Sequence, residues 1–113
     1  MLKIYHNNRC SKSRQTLELI KDSGQEVEVV EYLKTPLTAA ELQDVLQKLN
    51  MKPEQLLRKN EALYKEAYKG KRMTDQEWIQ AMVDHPVLIE RPIVVKEDKA
   101  VLGRPPENVQ ELL

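Results

Sequence analysis

Apolar and polar positions alternate or recur along this chain in a way that lays out its elements. "LKIYH" at 2–6 reads as a short strand with Leu2 and Ile4 on one face. From Ser11 the period becomes helical, with Leu17 and Ile20 in register and Gly24 as a C-terminal stop. "EVEVVEYL" at 26–33 alternates and is rich in valine, so it reads as a second strand. Strand, helix and strand in so short a run make a βαβ unit, with parallel strands and a right-handed crossover.

The middle of the chain is helical. Thr38 with Glu41 forms a capping box ahead of Leu42, Val45, Leu46 and Leu49, and Thr74 with Glu77 forms another ahead of Trp78, Ile79, Met82 and Val83. Between them, Pro53 opens a short turn of helix, and Asn60 is expected to cap a segment carrying Tyr64 and Tyr68 that ends near Gly70. The second boxed helix ends near His85 and Pro86. "PIVVKEDKAVLG" at 92–103 reads as a β-hairpin turning near Glu97, Asp98 and Lys99, and "PPENVQELL" as a closing helix. The order β-α-β, helical insert, β-β-α predicts an α/β protein. Its four-stranded mixed sheet is that of a thioredoxin-like fold, with a helical insertion at about 38–85 in a single domain over 1–113.

Composition adds limits. At 113 residues the chain suits one domain that buries roughly 65% of its unfolded surface. Phenylalanine is absent, so Leu, Val, Ile, Tyr64, Tyr68 and Trp78 are expected to supply the core. Eighteen basic residues balance 18 acidic ones, which gives no reason to expect nucleic-acid or membrane-surface binding. No apolar run approaches the ~20 residues of a membrane span. "MLKIYHNN" lacks the apolar region of a signal peptide. With one cysteine there is no internal disulfide to form, and these features together point to the cytoplasm.

That cysteine, Cys10, is the chemically suggestive residue. It stands where a strand hands over to a helix, in "IYHNNRCSKSRQT". The first-turn N–H groups of the helix have no intrahelical acceptor there, and the helix dipole adds positive potential. Both stabilise a thiolate, and Arg9, Lys12 and Arg14 are expected to add to it. The same N–H groups suit an anion, so nucleophile and oxyanion pocket would coincide. A lone cysteine is more often a small buried hydrophobe, but the polar surround "NNRCSKS" is a poor match for a packing site.

Neighbouring residues carry two readings each. His6 either tunes Cys10 or is an ordinary polar strand end. Ser13 either donates to the sulfur from one turn on or satisfies backbone in the first turn. His85 reads as a helix-end residue, and two histidines with one cysteine, widely spaced, give no metal-site pattern. Arg58, Arg91 and Arg104 lie beside turn-forming or helix-end sequence. Arg91 and Arg104 flank the hairpin and should meet at one end of the sheet, where guanidinium forks suit a tetrahedral oxyanion.

"YHNNRCSKSRQTLELI", "LLRKN", "HPVLIERPIVV" and "GRPP" together resemble the glutaredoxin-dependent arsenate reductases of bacteria, over Ile4 to Leu112. The resemblance implies a thioredoxin-like fold with a helical insertion. It implies Cys10 as nucleophile, His6 as a residue that lowers its pKa, and Ser13 as its helical neighbour. It assigns Arg58, Arg91 and Arg104 to the oxyanion, and it matches Pro92 to a proline typically cis in such folds. Arsenate is the implied substrate and glutathione the co-substrate, with glutaredoxin as protein partner and no bound cofactor or metal. Lys12 stands where well-characterised relatives have a small residue, which resembles a housekeeping branch of the family. Two other functions fit parts of the pattern. One is a glutathione-dependent thiol reductase with little arsenate activity. The other is a redox regulator that binds RNA polymerase, whose Cys-x-x-Cys switch is broken here by Ser13.

Overall fold

β1 (Leu2–His6) is flanked on both sides by other strands. The computed structural model describes every residue from Met1 to Leu113. The chain divides into two compact units, the first formed by Met1–Thr35 with Arg91–Leu113 and the second by Pro36–Glu90.

In the first unit α1 (Ser11–Asp22) connects β1 to β2 (Val27–Glu31), and the hairpin of β3 (Ile93–Lys96) and β4 (Lys99–Leu102) completes a sheet of order β2-β1-β3-β4. β1 and β2 run parallel with Leu2 beside Val27, while β1–β3 and β3–β4 are antiparallel. This is the mixed α/β sheet the element order predicts. Leu2 and Ile4 face Ile20 of α1, Val94, and Val109 and Leu112 of the C-terminal segment, all buried. Each such side chain contributes roughly 1.5–3 kcal/mol by leaving water. α1 ends as its sequence suggests, with Gly24 at φ +79° just beyond the last turn.

Four sequence expectations need correction. β2 is shorter than 26–33, because the N–H groups of Lys34 and Thr35 both turn back to the Glu31 carbonyl, at 2.9 Å each. The closing helix is a 3₁₀ helix, Pro106–Leu112, begun by an Asn108 N–H bond to the Pro105 carbonyl. Asn60 caps nothing: the Lys65 N–H bonds the Glu61 carbonyl, and the segment continues as a π-turn over Tyr64–Tyr68. Tyr64 and Tyr68 are only half-buried, and the tyrosines fully inside are Tyr5 and Tyr32.

Glu97 sits at φ +56° as the first residue of the hairpin turn. An L side chain is disfavoured there and glycine is not. Glu97→Gly should therefore raise stability by about 0.5 kcal/mol. A urea unfolding midpoint below that of the parent protein would contradict this.

The second unit is built on α2 (Ala39–Leu49) and α3 (Asp75–Asp84), and both capping boxes close. Trp78 of α3 lies 6.5 Å from the Tyr64 ring and 6.0 Å from the Tyr68 ring. A short antiparallel bridge joins Leu57 to Ile89, with Arg58 N–H to Leu88 carbonyl at 2.7 Å and Glu90 N–H to Leu56 carbonyl at 2.8 Å. No helix is long and apolar enough to cross a membrane.

Candidate active site

The polar residues between β1 and α1 form a loop that braces itself. The Cys10 N–H bonds the Asn7 carbonyl, and the Arg9 N–H bonds Asn7 Oδ1, each at 3.0 Å. The Cys10 carbonyl then accepts the Arg14 N–H, so Cys10 is the N-cap residue of α1. This sets its side chain over the first-turn N–H groups. No cap hydrogen bond to Sγ is formed, and the nearby Ser13 and Lys12 N–H groups favour its anion as dipoles.

Cys10 is buried, 8% exposed, and its desolvation pushes the thiol pKa up. That is the largest single effect, yet the balance is a lowered pKa. The Ser13 N–H, a hydrogen bond from Arg91, the Arg91 charge and the Lys12 N–H together outweigh burial. Here the sequence expectation is corrected in its agents. The side chains of Arg9, Lys12 and Arg14 are exposed, and Arg14 Nη1 is spent on the Asn8 carbonyl at 3.0 Å. The effective cation is Arg91, delivered from the far end of the chain.

Arg91 and Arg104 do meet, as the hairpin predicts. Arg104 Nη1 lies 4.0 Å from Cys10 Sγ and 3.3 Å from the Arg91 carbonyl. Arg91 Nε is buried and has no hydrogen-bond partner. Both arginines precede prolines, and the Arg91–Pro92 and Arg104–Pro105 bonds are both cis. The hairpin ends are tied by the Gly103 N–H to the Pro92 carbonyl at 2.9 Å. Gly103 is a site residue that sequence reasoning passed over. A Cβ there would stand 2.5 Å from Thr16 Oγ1 and 2.8 Å from Pro92 Cγ. Only glycine permits this approach of α1 to the hairpin. The "GRPP" run holds that glycine, but nothing local marks the neighbour that demands it.

Ser13 and His6 are both buried and bonded to each other, Ser13 Oγ to His6 Nδ1 at 2.6 Å. Ser13 Oγ also accepts the Asn7 N–H at 3.1 Å. Its hydroxyl thus braces the loop, and it is the backbone N–H of Ser13 that favours the Cys10 thiolate. His6 reaches Cys10 only through this serine. Burial lowers the His6 pKa below 6.5, against the opposing influence of Asn8 and Glu31, while Lys21 and Arg14 add to the lowering.

A pH dependence follows for the fold. The unfolded chain takes up a proton on His6 at about pH 6.5, and the native chain only at lower pH. The stabilisation is complete above that pH and is lost as pH falls from it through the native pKa. Unfolding free energies at pH 7 and pH 5 should fall more steeply for the parent protein than for His6→Gln. Equal slopes would remove His6 from the account.

Arg58 belongs to the second unit, where its Nη1 pairs with Glu61 at 3.0 Å and its Nε with Glu90 at 3.4 Å. In the first unit a pocket of about 320 Å³ opens beside the β1–α1 loop, lined by His6, Asn7, Asn8, Arg9, Glu31, Leu33 and Lys34. A roomier pocket of about 600 Å³ in the second unit is lined mainly by carboxamide and apolar side chains and holds none of this chemistry. No group of three or more His, Cys, Asp or Glu side chains is placed to hold a metal ion.

Known proteins resemble this chain over nearly its whole length. The ArsC family profile matches residues 5–112. The chain is 54% identical to the uncharacterized protein YfgD of Escherichia coli K12, covering 99% of this chain and 96% of that one. It is 42% identical to an arsenate reductase of Neisseria meningitidis, covering 99% and 97%. A solved arsenate reductase from Vibrio cholerae superposes with a TM-score of 0.95 at 44% identity, covering 99% of this chain and 97% of that one. With a thioredoxin-like sheet and a match running from Tyr5 almost to the last residue, the chain belongs to the ArsC family.

Proposed function

We propose that this protein is an arsenate reductase that works through a single nucleophilic cysteine and takes its electrons from glutathione, with glutaredoxin restoring the enzyme in the cytoplasm. The observation that carries the proposal is the meeting of Cys10 with two arginines. Its thiol pKa is lowered, Arg104 lies 4.0 Å from its sulfur, and Arg91 carries a buried Nε with no protein acceptor. A tetrahedral oxyanion beside the sulfur would supply that acceptor.

In the first step the Cys10 thiolate attacks arsenic(V) of dihydrogen arsenate. An S–As bond forms as an As–O bond breaks, the departing hydroxyl takes one proton from solvent and leaves as water, and Arg91 and Arg104 hold the remaining oxygens. The thiol of glutathione then attacks the Cys10 sulfur. The S–As bond breaks with its electron pair left on arsenic, which becomes arsenite. A mixed disulfide between Cys10 and glutathione remains, and glutaredoxin reduces it. No second cysteine exists in the chain to close an internal disulfide, so the resolving thiol must come from outside. Arg58 is assigned to the same oxyanion on the family resemblance alone.

The test is arsenate-dependent NADPH oxidation with glutathione, glutaredoxin and glutathione reductase supplied. Turnover requiring both arsenate and this protein is the expected result. Reduction of glutathione mixed disulfides with no response to arsenate would replace the proposal with a thiol reductase.

A further inference from the structure

Thr16 is fully buried in α1, and its polar contacts lead to the nucleophile. Its Oγ1 donates to the Lys12 carbonyl at 2.8 Å. It stands 3.4 Å from the Gly103 carbonyl, so the single hydroxyl proton favours the nearer acceptor. Back-bonding of threonine to the carbonyl four residues earlier is common in helices and by itself signifies little. Here the identity of the accepting peptide matters. The Lys12 carbonyl and the Ser13 N–H are two ends of one peptide group. Ser13 is the third residue of a helix whose N-cap is Cys10, and an N-cap side chain faces the N–H groups of the second and third residues. The Ser13 N–H is also the strongest of the influences that favour the Cys10 thiolate.

Donation into a peptide carbonyl draws charge toward its oxygen and leaves the N–H of the same peptide a better donor. In buried surroundings the effect is about 10–30% of a hydrogen bond for each bond in such a chain. The Thr16 hydroxyl is held in place for this from the other side. The Gly103 Cα approaches so closely that a Cβ would lie 2.5 Å from Oγ1 and 3.0 Å from Thr16 Cγ2. Gly103 immediately precedes Arg104, whose Nη1 lies by the sulfur. One buried threonine thus touches the peptide whose N–H favours the Cys10 thiolate and the residue that precedes Arg104.

We propose that Thr16 is a positioning residue for the Cys10 nucleophile: its hydroxyl, pinned by Gly103, polarises the Lys12–Ser13 peptide and so strengthens the hold of the Ser13 N–H on the thiolate. This rests on the reading of Cys10 as the nucleophile. It does not rest on arsenate as the substrate.

Cys10 is the sole cysteine, so alkylation of the full-length protein reports on it alone. Iodoacetamide rates and ultraviolet thiolate absorbance would be followed against pH in the parent, Thr16→Val, Thr16→Ala and Thr16→Ser. Loss of the hydroxyl in Thr16→Val should move the titration midpoint upward. Below the midpoint, alkylation should slow by roughly two- to fivefold, while the high-pH rate stays level or rises slightly. Thr16→Ser, which keeps the hydroxyl, should titrate like the parent. Should Thr16→Val fail to fold by circular dichroism, the contrast of Thr16→Ala with Thr16→Ser decides. An unmoved midpoint without the hydroxyl overturns the proposal. So does Thr16→Ser moving as far as Thr16→Val, since packing alone would then be responsible. Arsenate turnover is scored separately: its absence in the parent, with the Thr16 effect intact, sinks the arsenate reading and leaves this one.

Discussion

Cys10→Ser is expected to abolish the proposed arsenate-dependent NADPH oxidation, with turnover falling at least about a thousandfold, while the protein remains folded. The substitution replaces sulfur by oxygen in the same N-cap position, where serine is well accommodated. What it removes is an ionisable thiol whose pKa is lowered by the Ser13 N–H and Arg91 in spite of burial. A serine hydroxyl in that place stays protonated at neutral pH and has no adjacent base to activate it, because Ser13 Oγ and His6 are engaged with each other. The chain holds no other cysteine to take over. Substantial turnover in Cys10→Ser would rule out the covalent route.

Arg91→Ala is expected to lower kcat/KM for arsenate by about 10²- to 10³-fold, the scale of losing one preorganised donor to a developing charge. Two properties change together. The thiol loses a hydrogen bond and a nearby cation, so its alkylation midpoint rises. An oxyanion bound beside the sulfur would lose the buried Nε donor that no protein group uses. Arg91→Lys should keep part of the effect on the thiol, because charge is retained, but little of the effect on arsenate, because the planar fork is not. Arg104 is exposed and stands at 4.0 Å, so Arg104→Ala should cost less than Arg91→Ala. An unchanged thiol midpoint in a variant lacking Arg91 would contradict its placement as the cation that arms Cys10.

Much of the local structure is legible in the sequence because it is enforced by neighbours in the chain. Thr38 with Glu41 and Thr74 with Glu77 close their boxes within one helical turn. Gly24 ends α1 by its own backbone freedom. Expectation and structure part where partners are remote or geometry is tight. Prolines 105 and 106 lack N–H groups, and the last helix winds as 3₁₀. The burial of Tyr5 and Tyr32 in place of Tyr64 and Tyr68 depends on packing that no periodicity records.

In the site, the order of residues is enough to make one cysteine cap a helix, with polar residues before it and serine three residues after. Those features depend on strand and helix propensity and on spacing within a single turn. The same order brings Arg91 and Arg104 to one end of the hairpin, since a two-strand register leaves them no other choice. Which cation arms the thiol is a matter of three-dimensional packing. Arg9, Lys12 and Arg14 are close in sequence, but their side chains extend into water, where charge is screened. Arg91 is remote in sequence and half-buried beside the sulfur, where its charge is screened less than in open water. The same holds for Gly103 against Thr16: a missing Cβ acquires meaning only when another element occupies the space it would have filled.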